Sequence, residues 1–190
     1  MLSLDNILKK ILIENKEAIQ QGNFYKLYYN ALISTPDPMV IGKLTATLFE
    51  CNIDPCKLSG WNAIPSFYLC RQNCRLIAIP EGVEVIGQQA FDSCEKLLDV
   101  ALPNSLVDIR DRAFYHCRQL TRITIPKNVY KMGRRIFEGT PLHSLQYAGT
   151  VEDFKHTPWS KNLEWRLGSD IENVICVDGI VTLREPNIVI

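Results

Sequence analysis

A chain of 190 residues is long enough for one continuous core, or for a repeat array with a small attached domain. Hydrophobic residues make up 46% and charged residues 22%, which excludes a mostly disordered chain. Lys plus Arg and Asp plus Glu each number 21, and a net charge of zero predicts no general attraction to nucleic acid or an anionic membrane.

The first residues, Met1-Leu2-Ser3-Leu4-Asp5, carry no basic stretch leading into an apolar run, and Lys9, Lys10, Glu14 and Lys16 interrupt the next apolar residues. No signal peptide is expected. Leu4, Ile7, Leu8, Ile11 and Leu12 recur at steps of three and four, the apolar stripe of a helix, with Ser3 as its cap and Gly22-Asn23 as its stop. A second helix carries Phe24, Leu27, Tyr28 and Leu32, and Ser34-Thr35-Pro36-Asp37-Pro38 breaks it. Asp37 and Pro38 suit the cap and first turn of a third helix through Leu44, Leu48 and Phe49. Residues 52–59 form a connector. Residues 1–60 are therefore expected to be a helical domain or cap, or else a second binding or dimerisation surface.

Residues 61–149 repeat with a 23-residue period. Ile77-Ala78-Ile79-Pro80 aligns with Val100-Ala101-Leu102-Pro103 and with Ile123-Thr124-Ile125-Pro126. Val83, Leu106 and Val129 keep the step, as do Ile86, Ile109 and Met132. Ala90-Phe91, Ala113-Phe114 and Ile136-Phe137 come next, then Cys94, Cys117 and Thr140, with Leu97 matching Leu120. Phe67 and Cys70 start an incomplete unit upstream, and Leu145-Gln146-Tyr147 repeats the strand segment one residue short. Each unit reads as a short strand with two side chains inward and one outward, stopped by a proline that lacks a donor for further pairing. The Ala-Phe pair fills the centre and the cysteine is a compact filler. One unit cannot bury these residues alone, so stacking and capped ends are needed.

Beyond the array, residues 151–156 read as a short helix. Val174 to Val177 and Ile180 to Leu183 flank Asp178-Gly179, a two-residue hairpin signal, and such a hairpin would cover the last open edge of the solenoid sheet, making residues 150–190 a capping segment.

The pattern A-F-x-x-C-x-x-L-x-x-[IV]-x-[IL]-P, at Ala90 to Pro103 and Ala113 to Pro126, resembles the BspA-type leucine-rich repeat. The tail with Leu145-Gln146-Tyr147-Ala148-Gly149-Thr150, Trp159 and residues 174–179 is similar to the segment that often closes such arrays, so the resemblance covers residues 64 to about 183. Ile136, Thr140 and Arg110 depart from the pattern, Arg110 standing where the other units have Gly87 and Gly133. The resemblance implies a curved solenoid with a parallel sheet on one face that binds macromolecules, and it implies no reaction. The short helical lead, Ile53-Asp54-Pro55 and a small array together resemble small bacteriophage-encoded proteins.

Residues able to carry chemistry are few. Seven cysteines, an odd number, fit a disulfide framework poorly and predict reduced, mostly buried thiols in a cytoplasmic protein. Cys51, Cys56, Cys70 and Cys74 lack the tight spacing of a zinc ribbon, so no metal or other cofactor is expected. His116 beside Cys117 reads as surface histidine next to core cysteine, since adjacent residues on a coil face different ways. No phosphate loop, Gly-x-Ser-x-Gly or His-Glu-x-x-His occurs, so no enzyme is expected.

Charge and register supply the candidate partner-binding residues. Arg110, Arg112, Arg118, Arg122, Lys127, Lys131, Arg134 and Arg135 crowd the array, with Gln89, Arg112 and Arg135 in register, as are Asp99 and Arg122. The outward strand residues Ala78, Ala101, Thr124 and Gln146 are small or polar and form a flat, open face. The expected fold is α+β: a helical region, a short leucine-rich solenoid and a closing hairpin. The expected function is a non-enzymatic adaptor or inhibitor that binds another protein, a host protein if the chain is viral, through Arg112, Arg135, Arg122, Asp99, Thr124 and Gln146. The alternatives are a self-assembling structural component and a nucleic-acid-associated protein using the arginines.

Overall fold

A computed structural model describes residues 4–20, 27, 30–31, 40, 43–44, 63–64, 66, 68 and 74–183. Helix α1 spans Leu4–Glu14 and α2 spans Lys16–Gln20. Leu8 and Ile11 are buried and Ile7 and Leu12 pack beside them, as the apolar stripe requires. The single helix expected from the sequence is divided at Asn15. This side chain donates to Ile11 O at 2.9 Å and accepts from Asn30 at 2.6 Å, the local competition with backbone bonding that polar residues offer inside helices. Leu27, Ala31, Val40 and Leu44 are helical and buried, in one core with the array. Lys43 pairs with Asp5 across these helices. Ser3, Gly22-Asn23, Asp37-Pro38, Phe67, Cys51, Cys56 and Cys70 lie outside the described residues.

The repeats wind into coils with hydrogen-bonded ladders on more than one side. The expected strand face is present. Strand β2 (Leu76–Ala78) pairs parallel with β4 (Asp99–Ala101) at the 23-residue offset. β6 (Thr124–Ile125) pairs parallel with β8 (Ser144–Tyr147) at 22, the one-residue shortening visible in the sequence. A second ladder joins β1 (Ala63–Ile64), β3 (Val85–Ile86), β5 (Asp108–Ile109) and β7 (Lys131–Met132), all parallel. A third run of main-chain bonds links Phe91 N to Ala113 O and Phe114 N to Ile136 O. Turns between these sides use left-handed residues: Gln89, Arg112 and Arg135 at one register position, then Ser93, His116 and Gly139 at another.

Inside the coil, Phe91 stacks on Phe114 at 5.1 Å and Phe114 on Phe137 at 5.9 Å. Such pairs add about 0.5–1.5 kcal/mol each beyond their burial. The cysteine position does more than fill space. The Cys117 thiol donates to Phe91 O at 3.1 Å, and the Thr140 hydroxyl makes the equivalent bond to Phe114 O at 2.6 Å. Thr140 also accepts from Cys117 N at 3.1 Å, so the departure from the repeat pattern preserves its hydrogen bonding.

The C-terminal cap ends the stack. Thr150 and Asp153 form a capping box for α3 (Val151–His156), the helix expected there. Trp165 meets Phe137 edge-on at 6.3 Å and Trp159 at 5.7 Å, while Trp159 donates its indole N–H to Val129 O. β9 (Asn173–Cys176) adds to β8 in parallel, and β10 (Gly179–Thr182) completes an antiparallel hairpin. The hairpin turn is Val177-Asp178, one residue earlier than expected, because Gly179 already pairs with Cys176. Asp178 instead accepts from Val151 N at 2.7 Å, and a Cβ on Gly179 would sit 3.2 Å from Val151 Cγ2. The Asp-Gly signal therefore serves the approach of α3 as well as the turn.

Candidate functional site

The six candidate residues fall on two sides of the array. Asp99, Arg122, Thr124 and Gln146 come together on the strand face, around a recess of about 460 Å³. Arg122 bridges to Asp99 of the preceding coil at 3.5 Å, and Thr124 donates to the Gln146 carboxamide oxygen at 2.9 Å. The recess also takes in Leu102, Asn104, Pro126 and Ala148, none of them a binding candidate from the sequence. Their signal was present: Leu102 and Pro126 are repeat positions, Asn104 follows the proline that ends its strand segment, and Ala148 directly follows β8.

The outward residues Ala78, Ala101, Thr124 and Gln146 are all exposed. The face they form is accessible, as expected, but its ladder is not continuous: β2 and β4 make one sheet while β6 belongs to another with β8, β9 and β10. Beyond Gln146 the row continues through Ile175 and Ile180, which stand opposite one another in register and are 37% and 66% exposed.

Arg112 and Arg135 lie around a second depression with Gln88, Asp111 and Arg134. Both adopt left-handed backbone, φ 55° and 52°, which turns the chain sharply while the long side chains reach solvent. Arg112 sits 5.6 Å over the Tyr115 ring, a cation–π placement. Arg135 pairs with Glu138 at 3.3 Å and Arg134 with Glu164 at 3.4 Å. Arg118 likewise pairs with Glu95, 23 residues earlier. The arginine cluster is thus interleaved with carboxylates.

The sites considered for chemistry resolve simply. Cys117 is fully buried with its thiol aimed at Phe91 O, while His116 stacks on Tyr115 at 3.9 Å and leaves room only for glycine at Gly139. Burial pushes the Cys176 thiol above its ordinary pKa, and nearby Asp178 and Asp153 act in the same direction, so it stays protonated at neutral pH. Cys74 and Cys94 are also buried. No helix among the described residues is long and apolar enough to cross a membrane.

These stacked parallel coils, with their 23-residue step and central phenylalanine ladder, agree with the family model described as the BspA type leucine rich repeat region (6 copies), which matches residues 62–163. The chain belongs to the BspA-type leucine-rich repeat family. Among solved structures, the BspA-type chain is similar to the pneumococcal vaccine antigen PcpA, at 28% identity and TM-score 0.43, over 48% of this chain and 25% of that one. It is also similar to a leucine-rich repeat protein from Bacteroides capillosus, at 24% identity and TM-score 0.38, over 60% and 62%. A third is the T. pallidum leucine rich repeat protein, at 24% identity and TM-score 0.37, over 48% and 56%. The chain therefore spans between a quarter and about three-fifths of these proteins' lengths. No curated protein matches it. BspA-type repeats typically mediate protein binding or adhesion.

Proposed function

We propose that this chain is a non-enzymatic module that binds another protein on its strand face, around the recess between β4 and β6. The observation that carries the reading is the gathering of Asp99, Arg122, Thr124 and Gln146 around one open, polar depression on a rigid repeat scaffold. An extended face of this kind suits recognition of a surface or segment rather than enclosure of a small substrate. The specific form we propose is a cytoplasmic adaptor or inhibitor. The Cys117 thiol acting as a donor inside the coil supports a reducing compartment. A phage-encoded factor acting on a host protein is the narrowest version, supported by the short helical lead before a small array.

The test is affinity capture from the native host lysate with the unmodified chain, with Ala101→Arg plus Gln146→Arg, and with Arg112→Glu plus Arg135→Glu. A stoichiometric partner lost with the first pair places binding on the strand face. Loss with the second pair alone moves it to the arginine side. Capture unaffected by either pair, or no stoichiometric partner, contradicts the reading.

Self-assembly is the second reading, favoured by the exposed Val177 and Ile180 beside the outer edge of β10. Light scattering during size-exclusion chromatography distinguishes it by mass. Nucleic-acid binding through the arginines is weakened by the carboxylates at 3.3–3.5 Å from Arg118, Arg122, Arg134 and Arg135. A gel shift that collapses steeply with rising salt would revive it.

A further inference from the structure

The ladder through β3, β5 and β7 runs unbroken across the coils, whereas the strand face parts between β4 and β6. Parallel register dictates which main-chain groups this leaves. In β4, Asp99 N donates to Arg75 O and Ala101 O accepts from Ile79 N, so these residues face β2 and Val100 faces β6. In β6, Ile123 O and Ile125 O accept from Gln146 N and Ala148 N, so the N–H and C=O of Thr124 face β4. A continued ladder would have Leu102 N donate to Thr124 O, as Ile79 N does to Ala101 O. Among the described residues no main-chain bond crosses this seam. Between the same two coils the Phe114 and Phe137 rings stand 5.9 Å apart, against 5.1 Å for the preceding pair.

The recess lies over this seam. It presents main-chain donors at Leu102 and Thr124 and main-chain acceptors at Val100 and Thr124. An occupant that displaced water from these groups without matching them would bind at a cost, so it should bring both kinds. Asp99 and Arg122 at the rim neutralise one another, and no net charge favours an ion. A carboxylate would offer acceptors only, and an ammonium donors only.

We infer that the seam is a socket for an uncharged carboxamide, the side chain of an asparagine or glutamine on an extended segment of the partner protein. The inference rests on the strand face being the binding face. Beyond the socket the segment crosses β8 and β9 toward the exposed Ile175 and Ile180. Ile175 stands in register with Gln146, and Gln146 with Thr124. At about 4.8 Å per strand and about 3.3 Å per residue of extended chain, Ile175 is about three residues, and Ile180 about four, from Thr124 at the socket's near edge. The recognised pattern is therefore Asn or Gln with an aliphatic residue three or four positions away.

The test uses the isotope-labelled full chain and the synthetic peptide acetyl-Thr-Asn-Thr-Thr-Ile-Thr-amide, compared with versions carrying Asp or Leu in place of Asn. Saturable amide shifts at Leu102 and Thr124 are expected with the Asn peptide, and binding at least about tenfold weaker with the other two. Ala101→Leu, which fills the recess from an exposed position, should abolish the shifts, while Lys96→Ala should leave them unchanged. Equal response to all three peptides, shifts confined to other residues, or no saturable shift overturns the socket. If a partner is captured on the strand face but the Asn peptide is not preferred, the socket fails and the binding face stands. If the Asn peptide binds at the seam while Ala101→Arg plus Gln146→Arg leaves partner capture intact, the binding face fails instead.

Discussion

The side of the array where β3, β5 and β7 pair without interruption, and the strand face, where pairing stops between β4 and β6, are built from the same coils. From β3 to β7 on the first side each step is 23 residues, and each coil satisfies the next. Coil three bonds the C-terminal cap on more than one side. β6 joins β8 at a 22-residue step, and Trp159 bonds Val129 O. Arg135 N and Ile136 N donate to Glu164 O and Trp165 O. The comparison teaches that stability and recognition can be divided between two sides of one repeat. The closed side and the core hold the coils together, and the parted side presents backbone groups to a partner.

The largest effect expected is from removing a ring shared by both sides. Phe114→Ala, between Phe91 and Phe137, should cost about 3–5 kcal/mol, read as a lower denaturation midpoint in one cooperative transition. Two separate transitions would mean that the coils on either side of the seam fold as independent units.

Thr140→Val should cost about 1–3 kcal/mol, because Cys117 N and Phe114 O are then buried without their partner. Thr140→Cys should restore most of that loss in the same unfolding measurement, since Cys117 makes the equivalent bond. Failure of the cysteine variant to recover would separate coil three from the rule of the coil before it.

Gly139→Ala is expected to cost about 1–2 kcal/mol through its left-handed φ of 68° alone. The added Cβ would also meet the His116 ring at 2.0 Å. A midpoint matching the unmodified chain would show that the turn stacked on His116 is looser than its geometry.

The smallest effect concerns acid. Hydrogen bonds from the Thr150 backbone and hydroxyl hold the Asp153 carboxyl below its usual pKa of 3.8. Its contribution is therefore fully present above that usual value and is lost as pH falls through the lowered one. Thr150→Val should make the unfolding midpoint less sensitive to acidification below the usual carboxylate range. An unchanged pH profile would mean that the backbone N–H at position 150, which the variant keeps, holds the Asp153 carboxyl low without the hydroxyl.

Much of the core was legible because register is a covalent property of the chain. Once Ile77, Val100 and Ile123 aligned, so did the rings of Phe91, Phe114 and Phe137 and the pairing of Asp99 with Arg122. The shortened step at Leu145-Gln146-Tyr147 and the short helix at residues 151–156 were equally visible. Two-residue strands such as Val85-Ile86 carry too little alternation to declare a second ladder. The left-handed backbone at Arg112 and Arg135 was hidden because long side chains rarely adopt it. The hydrogen-bonding role of Cys117 became visible only through Thr140, and the Asp178 contact with Val151 depends on how the hairpin packs. The seam was illegible for a related reason. Whether Leu102 reaches Thr124 depends on the tilt between coils, and side-chain pattern does not encode that tilt.

Backbone amide exchange in the unmodified chain tests the contrast between the two sides most directly. The Leu102 and Thr124 amides should exchange at least about tenfold faster than those of Ile79 and Ala148, and slow when the partner binds. Protection at Leu102 and Thr124 equal to that at Ile79 and Ala148 in the unbound chain would mean that the strand face is closed, contradicting the account.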